Sequence, residues 1–173
     1  MRDLKRFADL VDRLNDGIGR WASWLAIPVI LLLFLQVPLR EVVQRGNLVA
    51  NDLGQIAHAA LFMSGMAYAM RWDAHVRVDI FYQRMSARRR AWVNLVGSLL
   101  FSLPWLAIVG WYSVPVVVRS WAVLEQFAET YTSGYFLLKG FLIVFVVLCV
   151  LQSLAVAARA VLTLAAPPEP TPH

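Results

Sequence analysis

The chain has few of the residues on which protein chemistry most often depends. It contains one cysteine, Cys149, and three histidines, and only 16% of its 173 residues are charged. One cysteine cannot build a disulfide framework or a thiolate metal site. Only His58 lies well inside an apolar segment, so a haem held by two imidazoles would lack its second ligand. We therefore predict no catalytic site, no metal site and no bound cofactor.

Apolar residues, in contrast, are abundant. They make up 60% of the chain, and the mean hydropathy of +0.60 lies outside the range usual for a soluble domain. A helix that crosses a bilayer needs about 20 mostly apolar residues. Four segments approach or exceed this length, at about 21–39, 53–70, 92–118 and 136–158. The sequence therefore predicts an all-α integral membrane protein with a four-helix transmembrane domain over residues 20–164.

The predicted spans differ in polarity and in proline content. The second is the most polar, so we expect other helices rather than lipid to cover it. Prolines in the first and third spans remove backbone donors, so kinks are expected there. The prolines concerned are Pro28, Pro38, Pro104 and Pro115.

Basic residues are distributed unevenly between the two sides of the predicted spans. Twelve of the 16 Lys and Arg residues lie before the first span, after the second or after the fourth. Because such residues stay on the cytoplasmic side, both termini and the central loop are predicted to be cytoplasmic. The cations flank membrane spans and fit anionic lipid headgroups better than nucleic acid, so no nucleic-acid partner is expected.

The two ends of the chain differ from its centre. In residues 1–19, apolar residues recur at helical spacing opposite a charged face, which includes Asp12. We predict an amphipathic helix on the cytoplasmic membrane surface, with Gly17 and Gly19 allowing a turn into the first span. A simple solvated leader is the alternative. Four prolines in residues 165–173 exclude a continuing helix, so a disordered tail is predicted.

Several polar and small residues remain as candidates for binding. His75, Arg77 and Asp79 alternate in the central loop, where the interleaved arginine disfavours a metal ion and favours a loop that docks on membrane or on a partner. On the outer side, charges near the span ends either reach the interface singly or form pairs, with Lys139 and Glu125 the foremost candidates for a pair. A stripe of small residues on the second span allows close approach of another helix, from this chain or a partner; it consists of Ala57, Ala60, Ser64 and Ala67.

The central loop has a distinctive order of residues: residues 75–79 read His-Val-Arg-Val-Asp and are followed by Ser86 and the basic residues 88–90. Other positions, in order along the chain, are Asn15, Gly19, Ser120, Trp121, Glu125, Leu137, Leu138, Lys139 and Gln152. In this order and spacing the chain resembles the small membrane subunit, or Q subunit, of tripartite ATP-independent periplasmic (TRAP) transporters, and the central loop is the strongest part of the likeness.

The resemblance implies a subunit that catalyses nothing. In such transporters a periplasmic protein captures an organic acid and delivers it to a large membrane (M) subunit, which imports it with sodium ions, while the small subunit braces the scaffold. The implied location is the bacterial inner membrane, in several passes. The implied partners are the M subunit, the periplasmic binding protein and anionic lipids.

On this interpretation three groups of residues have candidate roles. Contact with the M subunit is assigned to the small-residue stripe together with His58 and Lys139. Anchoring of the cytoplasmic loop to lipid is assigned to His75, Arg77, Asp79, Arg88, Arg89 and Arg90. Docking of the binding protein is assigned to Arg40, Glu41, Arg119, Glu125 and Glu129.

A second class of function stays open at this point. A four-helix membrane anchor of a respiratory enzyme complex, associated with haem or quinone, would also be small, apolar and helical. The single histidine inside a span makes it the less favoured alternative.

Overall fold

The protein is an all-α bundle. The computed structural model describes residues 1–41, 48–72, 82 and 85–166, except for the side chains of residues 39 and 40. Within these ranges there is no β-strand, and one isolated bridge joins Gln126 to Ser133. The helices are α1 (Arg2–Trp24), α2 (Ala26–Glu41), α3 (Leu48–Arg71), α4 (Ala87–Val96), a π-helical segment (Gly97–Ser102), α5 (Leu103–Ala122) and α6 (Tyr135–Ala165).

Three helical stretches are long and apolar enough to cross a membrane. They are Arg2–Pro38, Ala87–Ala122 and Tyr135–Ala165, and they contain the first, third and fourth predicted spans. The second predicted span lies in α3, which is helical over 24 residues. Polar residues such as Gln55 and His58 leave α3 less apolar than the other three. The structure thus supports an integral membrane protein with three candidate spans.

The helix α6 forms the centre of the bundle. It contacts α1, α3, α4, α5 and the π-helical segment, whereas α2 packs mainly on α3. One core cluster joins α1 to α6 through Ala8, Val11, Ala155 and Ala158. A second joins α3, α5 and α6 through Ala67, Leu106, Leu148 and Cys149. The alanines allow close backbone approach in both clusters, and Cys149 is a packing residue, as predicted.

The connection between α1 and α2 differs from the prediction. No turn occurs at Gly17 or Gly19: α1 continues to Trp24, and the helix is interrupted only at Leu25. Pro28 explains the place of the interruption, because a residue without an N–H fits the first turn of a new helix but not a helix interior. Gly19 has another role, since an added Cβ there would overlap the Tyr68 ring. It lets α1 and α3 approach closely.

The charged face of α1 is also placed differently. Asp12 was predicted to point away from the apolar face, into water, but it is buried along with Asn15. The reason is that α1 packs against α3 and α6 through a third face, which carries Ala8, Val11, Asp12, Asn15, Gly19 and Ala22. Of the predicted apolar face, Leu10 and Leu14 stay exposed, whereas Val11 is buried in the contact with α6.

Proline accounts for the irregular start of α5. Pro104 lies in its first turn, directly after the π-helical segment. A proline ring at this position clashes with the carbonyl four residues earlier, and the wider π turn relieves that clash. The Leu103 N–H accordingly bonds to the Ser98 carbonyl, five residues back. Pro38 and Pro115 lie inside α2 and α5, which continue past them.

The contact between Gly19 and Tyr68 leads to a stability prediction. Gly19→Ala should destabilise the purified chain by about 1–3 kcal/mol. The new methyl group must displace the Cβ and Cγ atoms of Tyr68, which can move less than the far end of a flexible side chain. Thermal unfolding in mild detergent measures the change. Gly17→Ala is the matched control: nothing lies within 4 Å of a Cβ there, so it should be neutral or slightly stabilising. Equal effects of the two substitutions would contradict the proposed close approach.

Candidate functional site

A buried carboxylate joins three helices at one end of the bundle. Arg159 Nη2 of α6 donates a short hydrogen bond to Asp12 Oδ2 of α1. Arg71 Nε, in the last turn of α3, lies 3.3 Å from the same oxygen, and Gln152 Nε2 lies 3.4 Å from the other carboxylate oxygen. Asp12 therefore fixes α1 against both α3 and α6.

Two further contacts complete this polar cluster, which we define as Asp12, Asn15, Asp16, Arg71, Gln152 and Arg159. Arg71 Nη1 also forms a salt bridge with Asp16. Asn15 Nδ2 donates to Gln152 Oε1 over 2.6 Å, and both of these side chains are at most 1% exposed. Two carboxylates face two guanidinium groups, so the cluster is neutral as a whole.

The arrangement of the polar cluster suits a structural role. Every residue in it has at least one partner of opposite charge or an amide partner, which restrains the orientation of the side chains. Among the residues that the structure describes, no group of three or more His, Cys, Asp and Glu side chains could hold a metal ion. Sequence reasoning missed the cluster, although Gln152 amid an apolar helix was a signal for it.

A second polar contact lies at the opposite end of α3. The Asp52 carboxylate is buried and accepts hydrogen bonds from Thr130 Oγ1 and, over 2.8 Å, from Thr132 Oγ1. Both threonines belong to the loop between α5 and α6, residues 123–134. Asp52 was not among the predicted site residues, because only the loop conformation brings its partners to it. The contact fixes this loop on the end of α3.

The α5–α6 loop has a compact and strained backbone. Leu124 and Tyr131 have positive φ angles of 45° and 57°, which side chains other than glycine adopt only at a cost. Gly134 has φ 148°, and an added Cβ would lie 2.9 Å from Ile56 Cδ1. Phe127 is buried below the loop, whereas Tyr131 is 76% exposed at its tip. The loop is therefore held in one shape while its tip remains accessible.

The predicted pair of Lys139 and Glu125 is present. Lys139 Nζ lies 2.5 Å from Glu125 Oε2 and 4.8 Å from the centre of the Tyr135 ring. The hydrogen bond from Lys139 lowers the pKa of Glu125 below its usual value of 4.5. The Glu125 backbone also links the helices, since its N–H bonds to the Ser120 carbonyl and its carbonyl accepts from the Phe136 N–H. The pair thus closes the base of the loop.

The small-residue stripe of α3 is divided between two surroundings. Ala67 is buried inside the chain against Leu106 and Cys149, so α5 and α6 cover this end of the stripe. Ala57, Ala60 and Ser64 line an open groove of about 800 Å³ between α1 and α3. His58 is exposed and stacks on Phe62, with ring centres 4.6 Å apart. The groove is the part of the stripe that a partner can reach.

The other predicted site residues lie at the two ends of the bundle. At one end Arg88 and Arg89 are exposed, while the Arg90 guanidinium lies over the Tyr82 ring and donates to the Met85 carbonyl. At the other end Glu41, Arg119 and Glu129 are exposed. His75, Arg77, Asp79 and the Arg40 side chain lie outside the described residues, as does most of the tail.

The polar cluster leads to a prediction on stability. Asp12→Asn should destabilise the chain by about 3–5 kcal/mol, because it leaves Arg71 and Arg159 partly buried without their shared carboxylate. Thermal unfolding in detergent is the measurement. Asp9→Asn, an exposed position on the same helix, removes the same charge and should change stability by less than about 0.5 kcal/mol. Similar losses from both variants would show that Asp12 has no special part in the bundle.

The lowered pKa of Glu125 leads to a prediction on pH. Because the carboxylate form is favoured in the folded loop, its stabilising effect is complete above the usual pKa of 4.5 and is lost as the pH falls through the lowered pKa. The α5–α6 loop should therefore become more susceptible to an acid-active protease below pH 4.5 in the native chain. Glu125→Gln should give the higher susceptibility throughout and abolish this pH step. A step of unchanged size in Glu125→Gln would assign it to another group.

Comparison with known proteins gives the family. The chain matches the family described as tripartite ATP-independent periplasmic transporters, DctQ component, over residues 29–164, well over half of its length. No curated protein and no solved structure gives a significant match. The matched range includes most of α2, all of α3 to α5 and all of α6 except Ala165, and it begins after α1. The chain belongs to this family, and it is therefore the small membrane subunit of a TRAP transporter, a transport component rather than a member of an enzyme family.

Proposed function

We propose that this subunit braces and anchors the scaffold of the large membrane (M) subunit in a sodium-coupled importer of organic acids. The family match carries the proposal. The family is one of transporters, so it does not support the alternative of a haem or quinone anchor. The packing supports a bracing role, because polar contacts hold α1, α3 and α6 together as one unit.

We place the subunit in the bacterial inner membrane with four spans, in which α3 is the second along the chain and adds to the three candidate spans. The length of α3, 24 residues, is sufficient to cross the hydrocarbon core. It packs against α1, α2 and α6, whereas its polar residues Gln55 and His58 are exposed in the isolated chain, so we expect a partner helix to shelter them from lipid. The distribution of Lys and Arg supports cytoplasmic termini and a cytoplasmic loop between α3 and α4.

We assign the groove between α1 and α3 to a helix of the M subunit. Its floor consists of Ala57, Ala60 and Ser64, which allow close backbone approach. Trp21 stands at its edge and is 80% exposed in the isolated chain. Lys139 and His58 remain candidates for contacts outside the groove.

We assign docking of the binding protein to one end of the bundle and contact with lipid headgroups to the other end. The α5–α6 loop presents Glu129 beside a fixed, exposed Tyr131, and a preorganised tip loses little entropy on binding. Arg40, Glu41, Arg119 and Glu125 would extend this surface. At the other end, exposed Arg88 and Arg89 would attract anionic headgroups, together with Arg90 and the loop residues His75, Arg77 and Asp79.

Affinity purification of the tagged subunit, co-expressed with its M subunit, tests the proposal. Ala57→Leu adds bulk to the floor of the groove and should lower recovery of the M subunit roughly tenfold, as overpacking of a close helix contact does. Ala107→Leu is the matched control, because residue 107 is exposed on α5, away from the groove.

The comparison requires both variants, Ala57→Leu and Ala107→Leu, to be folded. Thermal unfolding of each variant alone should equal that of the native chain, which separates lost assembly from lost folding. Full recovery of the M subunit with Ala57→Leu would refute the groove assignment. Uptake of an organic acid by liposomes that contain this chain alone would refute the bracing role.

A further inference from the structure

One side of α3 carries exposed polar side chains in the middle of the helix. Gln55 and His58 are three residues apart, so they lie on the same side of α3, and both are exposed. The His58 ring stacks on Phe62, which is exposed on this side as well. We define these three residues as the His58 face. None of them lines the groove between α1 and α3.

The polar groups of the His58 face have no hydrogen-bond partner within the described part of the chain. His58 has its ring contact with Phe62, and no residue described by the structure hydrogen-bonds to the side chain of Gln55 or His58. The groups that these side chains offer, donors as well as acceptors, are therefore available to a partner.

The depth of His58 restricts what that partner can be. At 1.5 Å per residue His58 lies about 15 Å from the start of α3 at Leu48, which is close to the middle of this 24-residue helix. In the proposed placement of α3 as a span, this position is inside the hydrocarbon core, away from lipid headgroups and water. Acyl chains offer no hydrogen bond, and an unpaired polar group there is costly. The His58 face therefore requires another protein helix.

The helix that occupies the groove cannot be that partner. Phe62 and the groove residue Leu53 are nine residues apart, which is about two and a half helical turns, so they lie on opposite sides of α3. Between these sides α2 packs on α3, since a Cβ added at Gly54 would lie 3.3 Å from Leu33 of α2. Covering both sides of α3 takes two separate helices.

We propose that a second helix of the M subunit covers the His58 face and hydrogen-bonds to Gln55 and His58. The inference rests on the proposed bracing function. The M subunit is the occupant because the family consists of components of a tripartite transporter, and a brace held on two sides of α3 resists rotation as well as displacement. The partner helix should present uncharged polar side chains that both donate and accept, since a charged group would be costly at this depth.

Photocrosslinking in membranes that contain the co-expressed M subunit tests the arrangement. A benzophenone-bearing phenylalanine replaces Phe62 in one variant and Leu53, in the groove, in the other. We expect each probe to form a covalent adduct with the M subunit on irradiation. Peptide mapping should place the two adducts on different M helices, because the probes lie on opposite sides of α3.

A pair of double variants tests the hydrogen bonds. Gln55→Leu combined with His58→Leu should lower recovery of the M subunit in affinity purification about tenfold, at about threefold for each interhelical hydrogen bond. Gln55→Asn combined with His58→Gln is the matched control, because it retains donors and acceptors at both positions; recovery should stay within about twofold. Thermal unfolding of the double Leu variant alone should show no loss of stability, since neither side chain has a hydrogen-bond partner in the described chain.

The outcomes separate this contact from the bracing function. A Phe62 probe that labels lipid alone or a second copy of this chain, or two adducts on one M helix, would overturn the second contact. So would full recovery with the double Leu variant, equal losses for the two double variants, or a less stable double Leu chain. In all of these cases an adduct of the Leu53 probe with the M subunit would leave the bracing function standing. Failure of the native chain to recover any M subunit would refute the bracing function itself.

Discussion

The fold depends on a carboxylate that three helices share. Asp12 accepts contacts from Arg71, Arg159 and Gln152, and these partners come from α3 and α6. Burying such a group is costly unless partners of opposite charge compensate for it. The contact is directional, so it fixes both the position of α1 along the other two helices and the rotation of α1 about its own axis. The apolar contacts of α1, through residues as small as Ala8, could not fix either quantity so closely.

The helix α3 shows why such contacts are needed. It is less apolar than α6, so burial of its surface gains less free energy. Polar side chains hold it at both ends instead. Asp52 near its start binds the α5–α6 loop, and Arg71 in its last turn binds α1. Two of these polar partners lie on the α5–α6 loop and two on α1, so α3 is held at one end by the loop and at the other by α1.

Much of this architecture was predictable, and the exceptions share one cause. Long apolar segments and basic flanks predict the helices, because span length and charge placement are set by the bilayer rather than by other parts of the chain. The amphipathic pattern of residues 1–19 predicts a helix, and α1 covers these residues, but the pattern does not distinguish a polar face in water from one buried against other helices. Asp12 was assigned to water for this reason. Lys139 and Glu125 were predictable as a pair, since both lie at span ends where an isolated charge is costly. The partners of Asp52 were not, because they depend on the backbone of a loop that includes Tyr131 at φ 57°.

The bracing role that we propose would require the subunit to resist displacement while its partner moves. Packed apolar faces alone allow small sliding motions between helices, as shear movements in many proteins demonstrate. Buried charge pairs resist such sliding, because a shift of a few ångströms separates the charges before new partners are available. In this chain such pairs join the last turn of α3 to α1, and hydroxyl–carboxylate hydrogen bonds hold the other end of α3, whereas α2 and α5 expose apolar faces with Phe34 and Trp111. The fixed contacts are therefore inside the subunit, and the non-directional surfaces face outward, where lipid or a neighbouring helix can slide past without breaking a polar contact.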